Sequence, residues 1–517
     1  MAQRVASALG FLGSDRLRWP LSLLLGVLLW AASLPPYGIG ILAVLAFVPL
    51  LYSLPGVPML QVLSKGWLAG TLWEFSTLWW LIPTLVRYGN MAEPLALLLV
   101  LGMCGVLGLY MAGFLGTMAL LVKRRGDWAI VLAPFAWVLW EWLRGVLLSG
   151  FPWWGPGYAL SLYPAFLQGT RLFGILGLSF LALLGSTAIA LYLRDRRGTL
   201  AQVVVPAALL LFVIAYLAGA WWNDHPVEPK PTVPVGYLQP QIPQNHKWDP
   251  QFSGMILKRT LDLSMAFQHY GLKLLVWPES STPFEWDTDS AYRRAVAKVA
   301  ADIGSPILVG SVLSSADGYQ NGAVLVMPDG KEAGRYAKTH LVPFGEYVPL
   351  RQWLFFARPI VDEVGEFAPG HSLQPLSLPE GKVGVTICYE GIFPSLVRRE
   401  VLNGAQLLVN MTNDAWYRGT PGPAQDFLIQ RVRAVENDRY LIRSANGGVS
   451  GVVTPRGQLQ AATPKGQPAS FWGLVEFRST RTLWDRLGNA WLLLPLLVVL
   501  FFARPSRANQ PGARLSP

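Results

Sequence analysis

A chain of 517 residues that is 52% hydrophobic, with 22 Trp and only 14% charged residues, lies outside the composition of soluble globular proteins and marks a membrane protein. Its formal charge of +11 does not argue for nucleic-acid binding, because residues 223–487 hold 26 of the 42 basic and 25 of the 31 acidic residues and are nearly neutral. Cys104 lies in an apolar run and Cys388 in a polar-flanked region, so neither a disulfide framework nor a metal-ligand spacing is expected, and no cofactor is implied.

At the start, Arg4, Arg16 and Arg18 precede an apolar run with no small-residue cleavage site after it, which predicts a retained anchor rather than a signal peptide. Apolar runs at 19–34, 41–54, 66–85, 95–122, 128–147, 171–193, 200–222 and 488–503 predict a polytopic helical bundle of about eight spans. Several fall short of the roughly 20 residues that cross a bilayer, so their ends extend into flanking sequence. Basic residues cluster on alternate connections, at Arg16 and Arg18, Lys65, 123–125, 194–197 and beyond Arg504. That asymmetry predicts cytoplasmic termini and places 223–487 on the opposite side, the periplasm of a bacterial inner membrane.

Glu74, Glu141 and Arg144 sit in or beside these apolar runs. There, charge is costly and often functional, although such residues also cap helix ends near an interface. The loop 150–158, with Phe151, Trp153, Trp154 and Tyr158, has the composition of an interfacial aromatic belt.

Beyond the seventh span the pattern changes. Strands are expected at 233–238, 272–277, 307–312, 323–327, 406–410, 440–443 and 451–453, with helices near 252–269, 290–303 and 423–438. Strands alternating with helices, with hairpins between, predict an α/β or mixed-sheet domain of about 260 residues. The apolar run 383–387 reads as a buried strand ending on Cys388, followed by a helical stretch over 392–400. A thiol at such a turn, near backbone N–H groups and a helix N-terminus, is expected to favour the thiolate; a small buried hydrophobe is the competing reading of a lone cysteine. Glu279 ends another strand, where partial burial would suit a general base, and Lys338 follows a third. Taken singly, each is as readily a solvated charge or half of an ion pair.

The order Trp277-Pro278-Glu279, then 336–346 (Tyr-Ala-Lys-Thr-His-Leu-Val-Pro-Phe-Gly-Glu), then Ile387-Cys388-Tyr389-Glu390 is similar to the Glu-Lys-Cys triad of the nitrilase superfamily. Framed by seven preceding spans and one following, it resembles the bacterial apolipoprotein N-acyltransferase family over nearly the whole chain. Tyr37 after Pro35-Pro36, Trp248 and the run 413–416 also fit that family's pattern.

The resemblance implies transmembrane helices over 1–222, a periplasmic nitrilase-like α-β-β-α sandwich over 223–487, a last helix over 488–503 and a cytoplasmic tail. It implies transfer of an acyl chain from the sn-1 position of a phospholipid, phosphatidylethanolamine foremost, through a thioester on Cys388 to the amine of a diacylated apolipoprotein. Glu279 would be the base, and Lys338 the oxyanion partner. Trp248, Glu346, Tyr389 and Glu390 would support the site or contact substrate, with structural ion pairing an equal alternative for the two carboxylates. The apolar segment 353–361 is a candidate lid, or packed core. A monomer suffices, and nucleic acid has no role. The runner-up is a membrane-tethered amidase using the same triad; a polytopic binding or transport protein is the third reading. Eight spans are more than a hydrolase of soluble amides needs.

Overall fold

The computed structural model describes residues 15–54, 56–225, 231–347, 367–464 and 466–504; the candidate lid 353–361 and the tail beyond Arg504 lie outside the described residues. Two compact units emerge, one drawn from Met1–Trp79, Leu97–Asp224 and Asn489–Pro517, the other from Trp80–Ala96 and His225–Gly488.

The first unit is helical. Among the described residues, four helices are long and apolar enough to cross a membrane: Glu93–Arg125, Thr170–Arg194, Thr199–Asp224 and Leu483–Ala503. Shorter apolar helices cover Trp19–Ser33 and Leu42–Ser53. Thr199–Asp224 exposes Leu209, Leu210, Ile214, Leu217 and Trp221, an outer face suited to hydrocarbon rather than water. Inside the unit, Trp30, Phe47, Trp73 and Trp137 pack ring on ring at 4.4–4.8 Å.

Beside these rings lies a buried polar cluster. Arg144 Nη1 donates to Glu74 at 2.5 Å, and its Nη2 donates to the carbonyls of Trp153 and Trp154 at 2.7 and 2.9 Å. Glu141 accepts from Trp137 at 2.6 Å and Ser179 at 3.0 Å. Glu74 and Glu141 therefore serve as interior partners, not interfacial caps. The loop 150–158 is likewise corrected: Trp153, Trp154 and Tyr158 are buried inside the unit instead of forming an exposed belt, because Arg144 pins their backbone inward.

The second unit is built on two six-stranded sheets. One orders β1 (Val233–Gln239), β2 (Leu274–Val276), β3 (Ile307–Ser315), β4 (Gly318–Val326) and β5 (Glu332–Ala337), with β12 (Ala469–Val475) antiparallel against β1. The other orders β6 (Leu376–Leu378), β7 (Gly381–Ile387), β8 (Leu407–Thr412), β9 (Leu441–Ala445), β10 (Gly451–Val453) and β11 (Leu459–Gln460), with β7, β8 and β9 parallel.

Side-chain alternation assigns the layers. Leu274, Val276 and Leu308 point into a core shared with Val383, Val385, Leu407 and Val409 of the opposite sheet. Leu275, Ile307 and Val309 point the other way, onto Val296, Val299 and Ile303 of the helix Ser290–Ile303. Leu408 and Leu441 face Val397, Val401, Phe427 and Ala434 of the helices Pro394–Leu402 and Gly422–Glu436. The result is a helix–sheet–sheet–helix sandwich with strands buried on both faces, which is why they read as continuous apolar runs.

The expected third span, 66–85, is broken. Its helix ends at Leu78, and a separate helix, Leu81–Tyr88, belongs to the sandwich unit. There Trp80 Nε1 donates to Gln425 at 3.2 Å and its ring meets Tyr417 edge-on at 4.9 Å, while Thr84 donates to the Trp416 carbonyl at 3.1 Å.

Candidate active site

Three strand ends converge in the sandwich. Glu279 follows β2, Lys338 follows β5 and Cys388 follows β7, so facing sheets bring together residues scattered over more than a hundred positions of sequence. Each strand end is fixed by its neighbours. At Glu279, Ser281 N and Oγ donate to the Gly310 carbonyl at 2.9 and 2.8 Å, and Ser280 adopts φ 39°. A side chain at Gly310 would meet the Pro278 carbonyl oxygen at 2.1 Å, so only glycine lets β3 pass behind this turn. Lys338 is held through its own N–H, which donates to the Asn321 carbonyl at 2.8 Å, and its carbonyl, which accepts from Gly370 at 2.7 Å.

Cys388 has φ 52°, an unfavourable conformation for a residue with a Cβ and a mark of backbone held in place by its surroundings. The helix expected over 392–400 is present as Pro394–Leu402. A short 3₁₀ turn, Cys388–Ile392, intervenes before the helix starts at Pro394. Burial, then the Glu279 carboxylate, push the half-buried Cys388 thiol well above the usual cysteine range, against the opposing pull of Lys338.

The other two groups form a buried charge cluster. Lys338 Nζ lies 2.9 and 2.8 Å from the two oxygens of Glu346 and 3.8 Å from Glu279 Oε1. Burial alone would lower the Lys338 ammonium, but Glu346 and Glu279, with Cys388, more than offset it and hold its pKa above that of an ordinary lysine. Asn321 Nδ2 bridges the carboxylates, donating to Glu279 at 2.7 Å and Glu346 at 3.0 Å.

Glu390 is fully buried and separate from that cluster. It accepts from Tyr336 Oη at 2.8 Å, from Thr339 N and Oγ1 at 2.7 and 2.9 Å, from His340 N at 3.1 Å and from Ile387 N at 2.8 Å. It thereby clamps the segment carrying Lys338 to the turn carrying Cys388. Of the remaining sequence candidates, Tyr389 packs edge-on against Phe393 at 5.0 Å and faces His340 at 5.8 Å, while Trp248, 40% exposed, lies on the turn after the 3₁₀ segment Gln244–His246.

Sequence reasoning passed over Asn321 and Lys247. The signal for Asn321 was an amide inside a strand, where Asn is depleted. Lys247 carries the same kind of signal less clearly, as a lysine beside an exposed tryptophan. It is buried, and its Nζ donates to the Glu279 carbonyl at 3.1 Å. Among the described residues, no group of three or more His, Cys, Asp or Glu side chains converges as a metal site requires.

Two protein families match this chain. The carbon–nitrogen hydrolase family matches residues 235–471, and the apolipoprotein N-acyltransferase N-terminal domain matches residues 25–188. The apolipoprotein N-acyltransferase of Geobacter metallireducens is 34% identical over 95% of this chain and 96% of its own. Those of Methylococcus capsulatus and Pseudomonas aeruginosa are 31% and 32% identical, over 92% of this chain and 97% and 95% of theirs. Similar solved structures include an amidase from Nesterenkonia sp., 23% identical, covering 50% of this chain and 96% of its own with a TM-score of 0.37.

Proposed function

This chain belongs to the apolipoprotein N-acyltransferase family, and from that premise we propose that it acylates the N-terminal amine of diacylglyceryl-cysteine apolipoproteins by two transfers through Cys388. The observation that carries this reading is the cluster of Glu279, Lys338 and Glu346 beside a thiol on a strained turn.

In the first transfer, Cys388 Sγ bonds to the carbonyl carbon of the sn-1 ester of a phospholipid, with phosphatidylethanolamine the expected donor. Because the resting thiol is neutral, its proton passes to Glu279 as the bond forms. The oxyanion lies against the Lys338 ammonium and backbone N–H at the Cys388 turn; a donor of this kind is worth about 3–4 kcal/mol elsewhere. Collapse breaks the ester C–O bond, Glu279 returns the proton to the departing lysophospholipid oxygen, and a thioester remains.

In the second transfer the acceptor amine attacks that thioester, Glu279 takes an amine proton, and Cys388 leaves as the thiol. Asn321 and Glu346 keep the Glu279 carboxylate and the Lys338 ammonium in place through both steps. Trp248 contacts substrate from its exposed turn, and Tyr389 and Glu390 hold the walls of the site. The sandwich works on the periplasmic side with both termini cytoplasmic, a reading supported by the distribution of basic residues. A small-amide hydrolase built on the same triad would hand the acyl group to water and has no use for so many apolar helices.

The test is transfer from phosphatidylethanolamine to a synthetic diacylglyceryl-cysteine peptide. Cys388→Ser is expected to abolish it, since a serine hydroxyl is far harder to deprotonate against the same base. Retained activity in that variant would remove Cys388 from the mechanism.

A further inference from the structure

The proposed chemistry does not use Lys247, although this lysine is only 3% exposed. Its Nζ is anchored on the Glu279 main-chain carbonyl at 3.1 Å, and with the Asn413 amide turned to satisfy its neighbours it also donates to that side-chain oxygen at 3.0 Å. The Trp248 ring lies 6.0 Å from the same ammonium. From the turn that carries the exposed tryptophan, one side chain therefore reaches both the backbone of the base and the segment after β8.

Charge supplies the second argument. Glu279 and Glu346 bring two carboxylates into the buried cluster, and Lys338 brings one ammonium. Such an imbalance is costly where water is excluded, and it grows worse for any further negative charge, such as an oxyanion or a thiolate.

We propose that Lys247 is the second cation of this site, a positioning residue that fixes the Glu279 backbone while its ammonium offsets the extra carboxylate and favours negative charge at Cys388. The inference rests on the acyl-transfer reading, but its electrostatic part can be measured without an acyl donor.

The titratable groups interacting with Lys247 are Glu279 at the end of β2 and Cys388 after β7; both favour its charged form. Burial opposes them more strongly and leaves its pKa lowered to about 8. Asp414, next to Asn413, is committed to Arg443 at 3.0 Å. On the lysine's own turn, His246 stacks on Phe252 at 3.9 Å and Asp249 accepts from Gln251 N at 2.9 Å. Above pH 8 the site thus loses a positive charge while Lys338 keeps its own.

The experiment uses the full-length protein in detergent micelles free of phospholipid, with Lys247→Met and Lys247→Arg. Alkylation of Cys388 by iodoacetamide is followed by peptide mass from pH 6 to 10, and the rate of acyl-enzyme formation is measured separately after phosphatidylethanolamine is added. The Met variant is expected to be alkylated about tenfold or more slowly than the wild type at each pH below 8, and to acylate about tenfold or more slowly over the same range. Acylation by the wild type is expected to decline above about pH 8, and that decline should move to higher pH in the Arg variant, which stays charged.

A Met variant whose alkylation profile matches the wild type would overturn the proposal. Should Met prevent folding, the Arg variant decides, and a decline that stays at pH 8 would overturn it too. Slowed alkylation of the Met variant with no acylation in any form of the protein would uphold the role of Lys247 and reject the acyl-transfer reading instead.

Discussion

Glu400, in the last turn of the helix Pro394–Leu402, is fully buried, with no hydrogen-bond partner to either carboxylate oxygen among the described residues. Burial, reinforced by the neighbouring Glu390, pushes its carboxyl up to about 9, so the folded protein holds it protonated at neutral pH. An unfolded chain ionises the same group near pH 4.5. A pKa raised on folding gives stability that is fully present below the unfolded value and lost as pH rises through the folded one. Across pH 4.5 to 9 the protein should therefore lose stability, by about 3 kcal/mol at pH 7. Glu400→Gln keeps the shape without the charge, so its melting temperature should exceed that of the wild type by several degrees at pH 8, with the gap closing by pH 5. Parallel melting curves would reject this assignment. Residue chemistry of this kind was partly legible in sequence. Glu279 and Cys388 announce themselves because each follows an apolar strand, whereas Lys338 follows the polar strand Glu332–Ala337 and is marked only by the motif around it. The protonation of Cys388 and the clamp made by Glu390 were not legible, since both depend on burial by segments far away in the chain.

At the level of elements, local signals located what local forces build. The helix Ser290–Ile303 was expected over those residues, and it is bounded by Asp289, whose side chain accepts from Tyr292 N, and by Gly304 in the left-handed conformation. By contrast, β12 escaped notice: it has no strong pattern of its own and exists because Val475 pairs with Val233 and Ala469 with Gln239 across the sheet. The helix Leu81–Tyr88 was read as the end of a span because apolar composition alone does not reveal which unit it joins. The close approach of β3 to the turn of Glu279 yields a prediction at this scale. Gly310→Ala would drive the Pro278 carbonyl aside and displace the base, and a shift of about 1 Å at a reacting group costs on the order of a hundredfold in rate. Acyl transfer by this variant should fall accordingly even where the fold survives; a wild-type rate would mean that the turn at Glu279 tolerates movement.

For the whole molecule, composition separated an apolar portion from a nearly neutral sandwich, and the structure has both units. Against the expected eight spans, four helices among the described residues are long and apolar enough to cross a membrane, and apolar runs such as 41–54 fold into short helices joined by bends. What joins the scales is the proposed two-step chemistry: an apolar unit suits a lipid donor, and a buried triad in the sandwich suits a thioester shielded from water. The most direct measurement of that claim is the intact mass of the purified protein after incubation with phosphatidylethanolamine alone, for wild type and Cys388→Ala. The account predicts a gain of one acyl chain on the wild type only, released by hydroxylamine and discharged by a diacylated lipopeptide. A folded wild-type protein that gains no acyl chain, or an adduct that persists in Cys388→Ala, would contradict it.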